Sequence, residues 1–318
     1  MRAMADSVRA TGRPAPPLRP TVRTVHVFRI TVGASGRIET VMATTAVGTL
    51  AIGTASIWYE ISAPADGSTV VLSHSLFFDH RMFDELASLL VAAGHRVVTY
   101  DHRNHGQSSV HQQNEVSVDT LTEDAAALIE QLQLGRVHFL GNSLGGFVAL
   151  RLAARRPELL LSAVAVGSSA EEEHQLEAFA PLVDRLSEHG ASDSIDTLMY
   201  IMFGDTSLST DTPSVQDWRE RMVALDRTIG GSAYQVIHRE RIVEELHGCT
   251  VPVLAISGTE DHAYPPPISD VNIATACGGE HRRVDAAGHS VSLEQPDTVA
   301  NHVLAHFAGV ESTVGSQG

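Results

Sequence analysis

The sequence contains no lysine, and all 22 basic residues of the 318-residue chain are arginines. No run of 18 apolar residues occurs, so no membrane-spanning helix is expected. Only two cysteines are present, Cys249 and Cys277, which are too few for a disulfide framework and do not form a C-x-x-C pair. These absences together favour a cytoplasmic protein with two reduced thiols and no membrane partner.

The net charge of −16 is unevenly distributed along the chain. Residues 1–41 hold seven arginines against two acidic residues, a net charge of +5, which leaves −21 on the remainder. An acidic surface repels polyanions, so nucleic acid is not expected as a partner. The hydrophobic fraction of 43% is typical of globular proteins and excludes disorder over the whole chain.

The N-terminal segment carries prolines at positions 14, 16, 17 and 20, which prevent a helix and interrupt any signal-peptide core. We therefore predict that residues 1–41 are a disordered Arg/Pro-rich leader, or lie upstream of the native start, with Met42 opening a shorter form. Residues 311–318 are predicted to be a disordered tail.

Hydrophobic periodicity predicts an α/β fold. Two alternating stretches, 48–52 and 56–61, are typical of antiparallel strands. Continuous apolar runs, typical of strands buried on both faces, occur at 69–72, 96–100, 137–140, 161–166, 251–256 and 282–284. Helical patterns alternate with these runs at 82–93, 121–132, 144–154 and 298–307. This alternation predicts a mainly parallel sheet flanked by helices.

Residues 171–248 break the alternation because they are helix-rich and contain no clear strand. We interpret them as a helical cap inserted between two core strands, with the core formed by 42–170 and 249–310. Within this segment Met199, Tyr200, Met202 and Phe203 cluster, and Trp218 follows. Such a cluster is typical of packing between cap and core, and part of it is expected to form the roof of a pocket.

The motif Gly141-Asn142-Ser143-Leu144-Gly145-Gly146 follows a predicted strand and opens a predicted helix. A turn tight enough to raise the serine side chain requires small flanking residues, so this context indicates a nucleophile elbow. The first N–H groups of the helix, that of Leu144 among them, would face a developing oxyanion.

A nucleophilic serine needs a base and an orienting carboxylate. His289 follows the last predicted strand, and Asp261 follows the strand at 251–256, so both lie at the carboxyl edge of the sheet beside Ser143. Asp261 is preferred over its neighbour Glu260. The run Glu171-Glu172-Glu173 is interpreted as a solvated helix start. A carboxylate of this run is the alternative to Asp261 as the orienting acid.

The order Ser143, Asp261, His289 is that of α/β-hydrolases, and residues 48–308 resemble that family with a helical cap. The resemblance rests on Ser73-His74-Ser75-Leu76, Asp101-His102-Arg103-Asn104-His105-Gly106-Gln107-Ser108, the elbow, the acid loop and Gly288-His289. Within the family the chain is most similar to 3-oxoadipate enol-lactonase-like proteins, through Leu72–Leu76, Val251–Asp261 and Pro265-Pro266. The resemblance implies that the N–H of Leu76 joins that of Leu144 in an oxyanion hole, and that no cofactor or metal is needed.

Departures from the family pattern bear on the substrate. Ser75 stands where many relatives carry glycine, and Phe77 and Phe78 are bulkier than expected for an enol-lactonase. We therefore expect an apolar pocket, and we expect its residues to be His74, Ser75, Phe77, Asn142, Tyr200, Phe203 and Trp218. His102 and His105 lie in a loop without an HExxH helix, so we expect no metal there, and we expect Arg103 to form an ion pair.

The leading hypothesis is a serine hydrolase that cleaves an ester or lactone bond of a hydrophobic small molecule. A carbon–carbon bond hydrolase is an alternative, since Asn142 before the serine resembles the meta-cleavage enzymes. A cofactor-free perhydrolase and a non-catalytic ligand-binding α/β-hydrolase are further alternatives. Neither the natural substrate nor the oligomeric state follows from the sequence.

Overall fold

Nine strands form one sheet in the computed structural model, which describes residues 23–32, 38–63 and 67–315. The strands are β1 (Arg23–Val32), β2 (Ile38–Ile52), β3 (Ala55–Ala63), β4 (Thr69–Ser73), β5 (Arg96–Tyr100), β6 (Val137–Asn142), β7 (Leu160–Val166), β8 (Val253–Gly258) and β9 (Glu280–Val284). Their order across the sheet is β1-β2-β3-β5-β4-β6-β7-β8-β9.

Strand direction divides the sheet into two parts. β1, β2 and β3 pair antiparallel, and β3 pairs antiparallel with β5. From β5 to β9 every pair is parallel. β4, β6 and β8 are buried along their whole length, as their continuous apolar runs predict, whereas the edge strand β9 buries only Val284.

Twelve helices accompany the strands in the described part of the chain. They are α1 (Asp84–Ala92), α2 (Val118–Gln131), α3 (Leu144–Arg155), α4 (Leu176–His189), α5 (Ile195–Met202), α6 (Asp205–Thr210), α7 (Pro213–Val223), α8 (Thr228–Ile237), α9 (Val243–Leu246), α10 (Ile273–Cys277), α11 (Val291–Glu294) and α12 (Pro296–Gly315). α2 is an example of how the sequence determines a helix. The Ser117 side chain accepts a hydrogen bond from the N–H of Thr120 and caps the helix start, and Leu121, Leu128 and Ile129 lie on the face that packs against the core.

The helices α4 to α9 follow β7 and precede β8, over the segment that the sequence analysis assigned to a cap. Buried helical residues of this segment, such as Leu186 and Met222, belong to the same hydrophobic core as the sheet. None of the helices in the described ranges is both long and apolar enough to cross a bilayer.

Both predicted disordered ends differ from the structure. β1 and the start of β2 lie within 1–41, because the β-branched stretches at 23–32 and 38–47 pair as antiparallel strands. At the other end α12 continues to Gly315, and the carboxylate of Glu311 lies 3.3 Å from Nε2 of the buried His138. The remaining residues to which these two predictions apply lie outside the described part of the chain; they are 1–22, 33–37 and 316–318.

Candidate active site

Ser143 occupies a sharp turn between β6 and α3. Its backbone has φ 52° and ψ −109°, a conformation that non-glycine residues rarely adopt. The turn closes only because its flanks are small: a Cβ on Gly141 would lie 1.9 Å from the carbonyl oxygen of Gly145, and one on Gly145 would lie 2.0 Å from that of Ser73. The glycines two residues either side of Ser143 are thus sterically required.

His289 bridges Ser143 and Asp261. Its Nε2 lies 2.7 Å from Ser143 Oγ, and its Nδ1 lies 3.0 Å from Oδ2 and 3.1 Å from Oδ1 of Asp261. Asp261 Oδ1 also accepts the N–H groups of Ala263 (2.8 Å) and Tyr264 (2.9 Å), which fix the carboxylate. All three side chains are buried, so the hydrogen bonds between them are shielded from water.

Two carboxylates near Asp261 and His289 have other partners. Glu260 accepts from the N–H (2.7 Å) and hydroxyl (2.7 Å) of Thr206 on α6, and these bonds hold its pKa below the usual range. Glu294 accepts from the N–H groups of Gly204 (2.9 Å) and Gly288 (3.0 Å), and burial raises its pKa. Both carboxylates therefore tie the segment between β7 and β8 to the loops that carry Asp261 and His289.

The loop carrying Leu76 is held by buried histidines. His74 Nδ1 donates to the carbonyl of Ser75 (2.8 Å), and its Nε2 accepts the N–H of His102 (2.9 Å). His105 Nε2 contacts the carbonyl oxygen of Leu76, the residue predicted to supply an oxyanion-hole N–H. Burial lowers the pKa of His74 to about 4, so its ring is neutral at pH 7.

Arg103 forms the expected ion pair, with Asp124, through two bonds of 2.6 and 2.7 Å. Within the described residues, Asp79, His80 and Asp101 are the group whose ligand atoms lie near enough together to hold a metal ion. Each of these acids already accepts hydrogen bonds, Asp79 from Arg81, and Asp101 from His80 and the N–H of Gln107. The atoms that could hold an ion thus serve to brace the loop.

An apolar cavity opens above Ser143 and His289. Its volume is about 60 Å³, measured as the space that the centre of a water molecule can occupy. Its walls are Leu76, Phe77, Phe179, Leu182, Val183, Leu186, Ile201, Met202, Ala233, Val236, Ile237 and Ala263, together with Glu173 and Tyr264. Most of these residues come from α4, α5 and α8, so the segment between β7 and β8 forms much of the cavity wall.

The model of the alpha/beta hydrolase fold family matches residues 68–296, which contain Ser143, Asp261, His289 and the residues that line the cavity. The chain belongs to the α/β-hydrolase family. This match and individual relatives confirm three predictions: the α/β-hydrolase fold, the resemblance to enol-lactonase-like enzymes, and membership of the hydrolase class of enzymes.

Three such relatives are informative. The 3-oxoadipate enol-lactonase 1 of Acinetobacter baylyi is 25% identical over 75% of this chain and 88% of its own length. The rhodomycin D methylesterase of Streptomyces peucetius is 26% identical, over 79% of this chain and 94% of its own. The crystal structure of the enol-lactonase from Burkholderia xenovorans LB400 superposes with a TM-score of 0.75 at 25% identity, covering 82% of this chain and 99% of that one.

Of the residues predicted to form the pocket of this α/β-hydrolase, Phe77 lines the cavity and six do not. His74, Ser75 and Asn142 are fully buried below it, where they bond to neighbouring loops. Phe203 and Trp218 pack against Phe78, at ring-centroid distances of 6.1 and 4.6 Å. Tyr200 is 54% exposed and stacks on His262, because its side of α5 faces solvent.

Sequence reasoning missed two polar residues of the α/β-hydrolase cavity, Glu173 and Tyr264. The run 171–173 was interpreted as a solvated helix start, but the Glu173 side chain is fully buried, bonded to Arg239 at 3.0 Å and to the hydroxyl of Tyr264. Glu171 and Glu172 do lie at the surface, beside Arg241. Helical spacing of Leu182 and Leu186 on α4 was a signal that could have indicated the apolar wall.

Proposed function

We propose that this α/β-hydrolase cleaves an ester or lactone bond of a hydrophobic small molecule through a Ser143–His289–Asp261 triad. The proposal rests on one observation above all: Ser143 Oγ lies 2.7 Å from His289 Nε2 on the floor of an apolar cavity. Relatives named as an enol-lactonase and a methylesterase support the same bond types.

The geometry favours acyl transfer by the following steps. His289 Nε2 takes the proton of Ser143 as Oγ attacks the substrate carbonyl, and Asp261 stabilises the imidazolium that forms. The backbone N–H groups of Leu76 and Leu144 bind the oxyanion. His289 then protonates the leaving alkoxide, and a water activated by the same imidazole hydrolyses the acyl-enzyme.

The segment 171–248 serves in this proposal as a cap, with 42–170 and 249–310 as the core. Helices α4, α5 and α8 contribute apolar side chains to the cavity, which favours hydrophobic acyl groups. A cytoplasmic enzyme acting on a small molecule, with no nucleic-acid partner, fits the two free thiols and the acidic charge.

The residue that favoured carbon–carbon bond cleavage, Asn142, does not line the cavity. It is fully buried and bonds to Ser75 and to the backbone of His289. A panel of lactones, aryl esters and vinylogous diketones, scored by product mass, separates this alternative from ester hydrolysis.

Covalent labelling tests the proposed function. A fluorophosphonate should add to Ser143 in the folded protein, and Ser143→Ala should abolish both labelling and aryl-ester hydrolysis, with the melting temperature nearly unchanged. Ser209→Ala, at an exposed serine of α6, is the matched control and should keep both the fluorophosphonate labelling and the aryl-ester hydrolysis of the wild type. Retention of activity in Ser143→Ala would overturn the triad, and a folded wild-type protein that resists labelling would overturn catalysis.

A further inference from the structure

Two residues of the cavity wall are also reached by solvent. Of the described residues that line the cavity, fourteen are buried, whereas Phe179 on α4 and Ile201 on α5 are partly exposed. At these two positions a single side chain separates the cavity from water. On the side of α8 the wall residues Ala233, Val236 and Ile237 are all buried. The wall is therefore thinnest beside α4 and α5.

The start of α4 separates the cavity from a hollow on the outer surface. Glu173 and Phe179 line the cavity. The residues between them line the outer hollow instead: His174, Gln175, Leu176, Glu177 and Ala178. The cavity and the hollow thus lie on opposite sides of one short segment, 173–179.

Exposed apolar side chains lie at the same place. Leu176 is 39% exposed and lies three positions before Phe179 on α4, and Tyr200 is 54% exposed and directly precedes Ile201 on α5. The described part of the chain has five large hydrophobic residues with this much exposure, so two of the five adjoin the two partly exposed wall residues. Apolar groups gathered at one point of the surface are typical of a ligand-binding site.

The loop that carries Asp261 connects these two helices. Gln175, which precedes α4, donates from Nε2 to the carbonyl oxygen of Ala263 at 3.0 Å. His262 donates from Nδ1 to the carbonyl oxygen of Tyr200 at 2.7 Å, and its ring stacks on that of Tyr200 at a centroid distance of 4.0 Å. Because Ala263 also lines the cavity, α4, α5 and this loop frame the same part of the wall.

We propose that the substrate enters the cavity between the start of α4 and α5, through a mouth whose rim is formed by Leu176, Phe179, Tyr200 and Ile201. The inference rests on the proposed function and identifies residues that select its substrates. Phe179 and Ile201 belong to both the wall and the rim, so they limit the width of the group that passes. The apolar rim favours neutral, apolar groups over charged ones, which would lose hydration there.

A bulky group attached to the rim tests the position of the mouth. Leu176→Cys introduces a thiol at a rim residue that does not line the cavity, and N-(1-pyrenyl)maleimide adds the bulk. Vinyl hexanoate is the substrate, because its leaving group is small and is released as acetaldehyde. We expect its kcat/KM to fall by about tenfold or more after labelling, since the pyrene obstructs entry, and to stay within about twofold after modification with the small methyl methanethiosulfonate.

Tyr234→Cys is the matched control, because Tyr234 is 39% exposed, as Leu176 is, and lies on α8, which also contributes to the cavity wall. Each rate is divided by that of wild-type protein treated in the same way, which corrects for reaction at Cys249 and Cys277. Pyrene at position 234 should leave kcat/KM within about twofold. Tyr200→Cys, at the other side of the rim, repeats the test if Leu176→Cys does not fold. No loss with pyrene at the rim, or an equal loss at position 234, would overturn the mouth.

Two vinyl esters with six acyl carbons test the width limit: the linear hexanoate and the branched 3,3-dimethylbutanoate. Each kcat/KM is divided by the rate of hydroxide hydrolysis of the same ester. Phe179→Ala should raise the ratio of branched to linear ester by about fivefold, because it widens the rim. Leu182→Ala is the control: Leu182 is a wall residue of α4 that is only 6% exposed, so its truncation enlarges the cavity but not the rim. An unchanged ratio in Phe179→Ala, or an equal rise in both variants, would overturn the role of Phe179.

Failure of the mouth and failure of the proposed function are distinguishable. If the wild type hydrolyses vinyl hexanoate and pyrene at the rim has no effect, the mouth alone is overturned. If a folded wild-type protein hydrolyses neither vinyl ester and resists the fluorophosphonate, the proposed function falls and the mouth with it.

Discussion

The side-chain amide of Asn142 donates a 2.9 Å hydrogen bond to the backbone carbonyl of His289, which lies 147 positions further along the chain. The same Nδ2 lies 3.0 Å from Ser75 Oγ, and Oδ1 accepts the N–H of Ser292 at 3.3 Å. One buried amide thus connects the turn at Ser143, the loop that carries Ser75 and Leu76, and the loop of His289, the proposed base. Its place before Ser143 serves positioning rather than substrate contact.

Asn142→Ala should therefore impair turnover more than binding. Loss of the three bonds frees the His289 loop, so we expect kcat to fall by at least about tenfold while KM stays within about threefold. The free energy of unfolding should drop by about 2–3 kcal/mol, since buried partners are left unsatisfied. Aryl-ester kinetics and urea denaturation measure the two effects. Asn301→Ala, at an exposed position of α12, is the control, and an equal fall in kcat there would refute this role.

The three residues of the proposed triad could be placed together from the sequence because their signals are local. A serine between small residues marks the turn after β6, Asp261 follows the continuous apolar run of β8, and His289 follows the edge strand β9. Parallel strands bring their carboxyl ends to one edge, so three distant positions could be placed together without knowing the packing of the helices.

The cavity wall was not predictable in the same way. Whether Tyr200 or Ile201 faces the cavity depends on the rotation of α5 against the core, and a short helix with apolar residues on several sides does not reveal it. Glu173 was missed for another reason. Its two acidic neighbours are typical of a surface, and its buried partners Arg239 and Tyr264 lie 66 and 91 positions away in the sequence.

Buried histidines give the protein a predictable acid sensitivity. The pKa of His74 is lowered by burial to about 4, from an ordinary value of 6.5. The unfolded chain therefore binds more protons than the folded one between these values, and the stability from His74, fully present above pH 6.5, is lost as pH falls toward 4. For this residue we expect a loss of about 1.3 kcal/mol in the free energy of unfolding between pH 7.5 and 5.5.

His74→Gln isolates that contribution. Glutamine can also donate and accept a hydrogen bond but does not titrate, so the variant should lose less stability than the wild type over the same pH interval. Groups that are remote from position 74 contribute equally to both proteins and cancel in the difference. Urea denaturation at several pH values gives the two curves, and parallel curves would contradict the lowered pKa of His74.

Leu186 is one of the residues that bound the cavity above Ser143. It lies on α4, is fully buried and lines the cavity, so Leu186→Ala should enlarge the wall where the acyl chain is expected to lie. We expect the ratio of kcat/KM for an aryl octanoate to that for the butyrate to rise by about fivefold, since a longer chain fills the new volume. The free energy of unfolding should fall by about 2–4 kcal/mol, the usual cost of such a truncation. Val223→Ala, at a 42% exposed position of α7, controls for unspecific change and should keep the wild-type ratio. An unchanged ratio in a folded Leu186→Ala would mean that the acyl chain binds elsewhere.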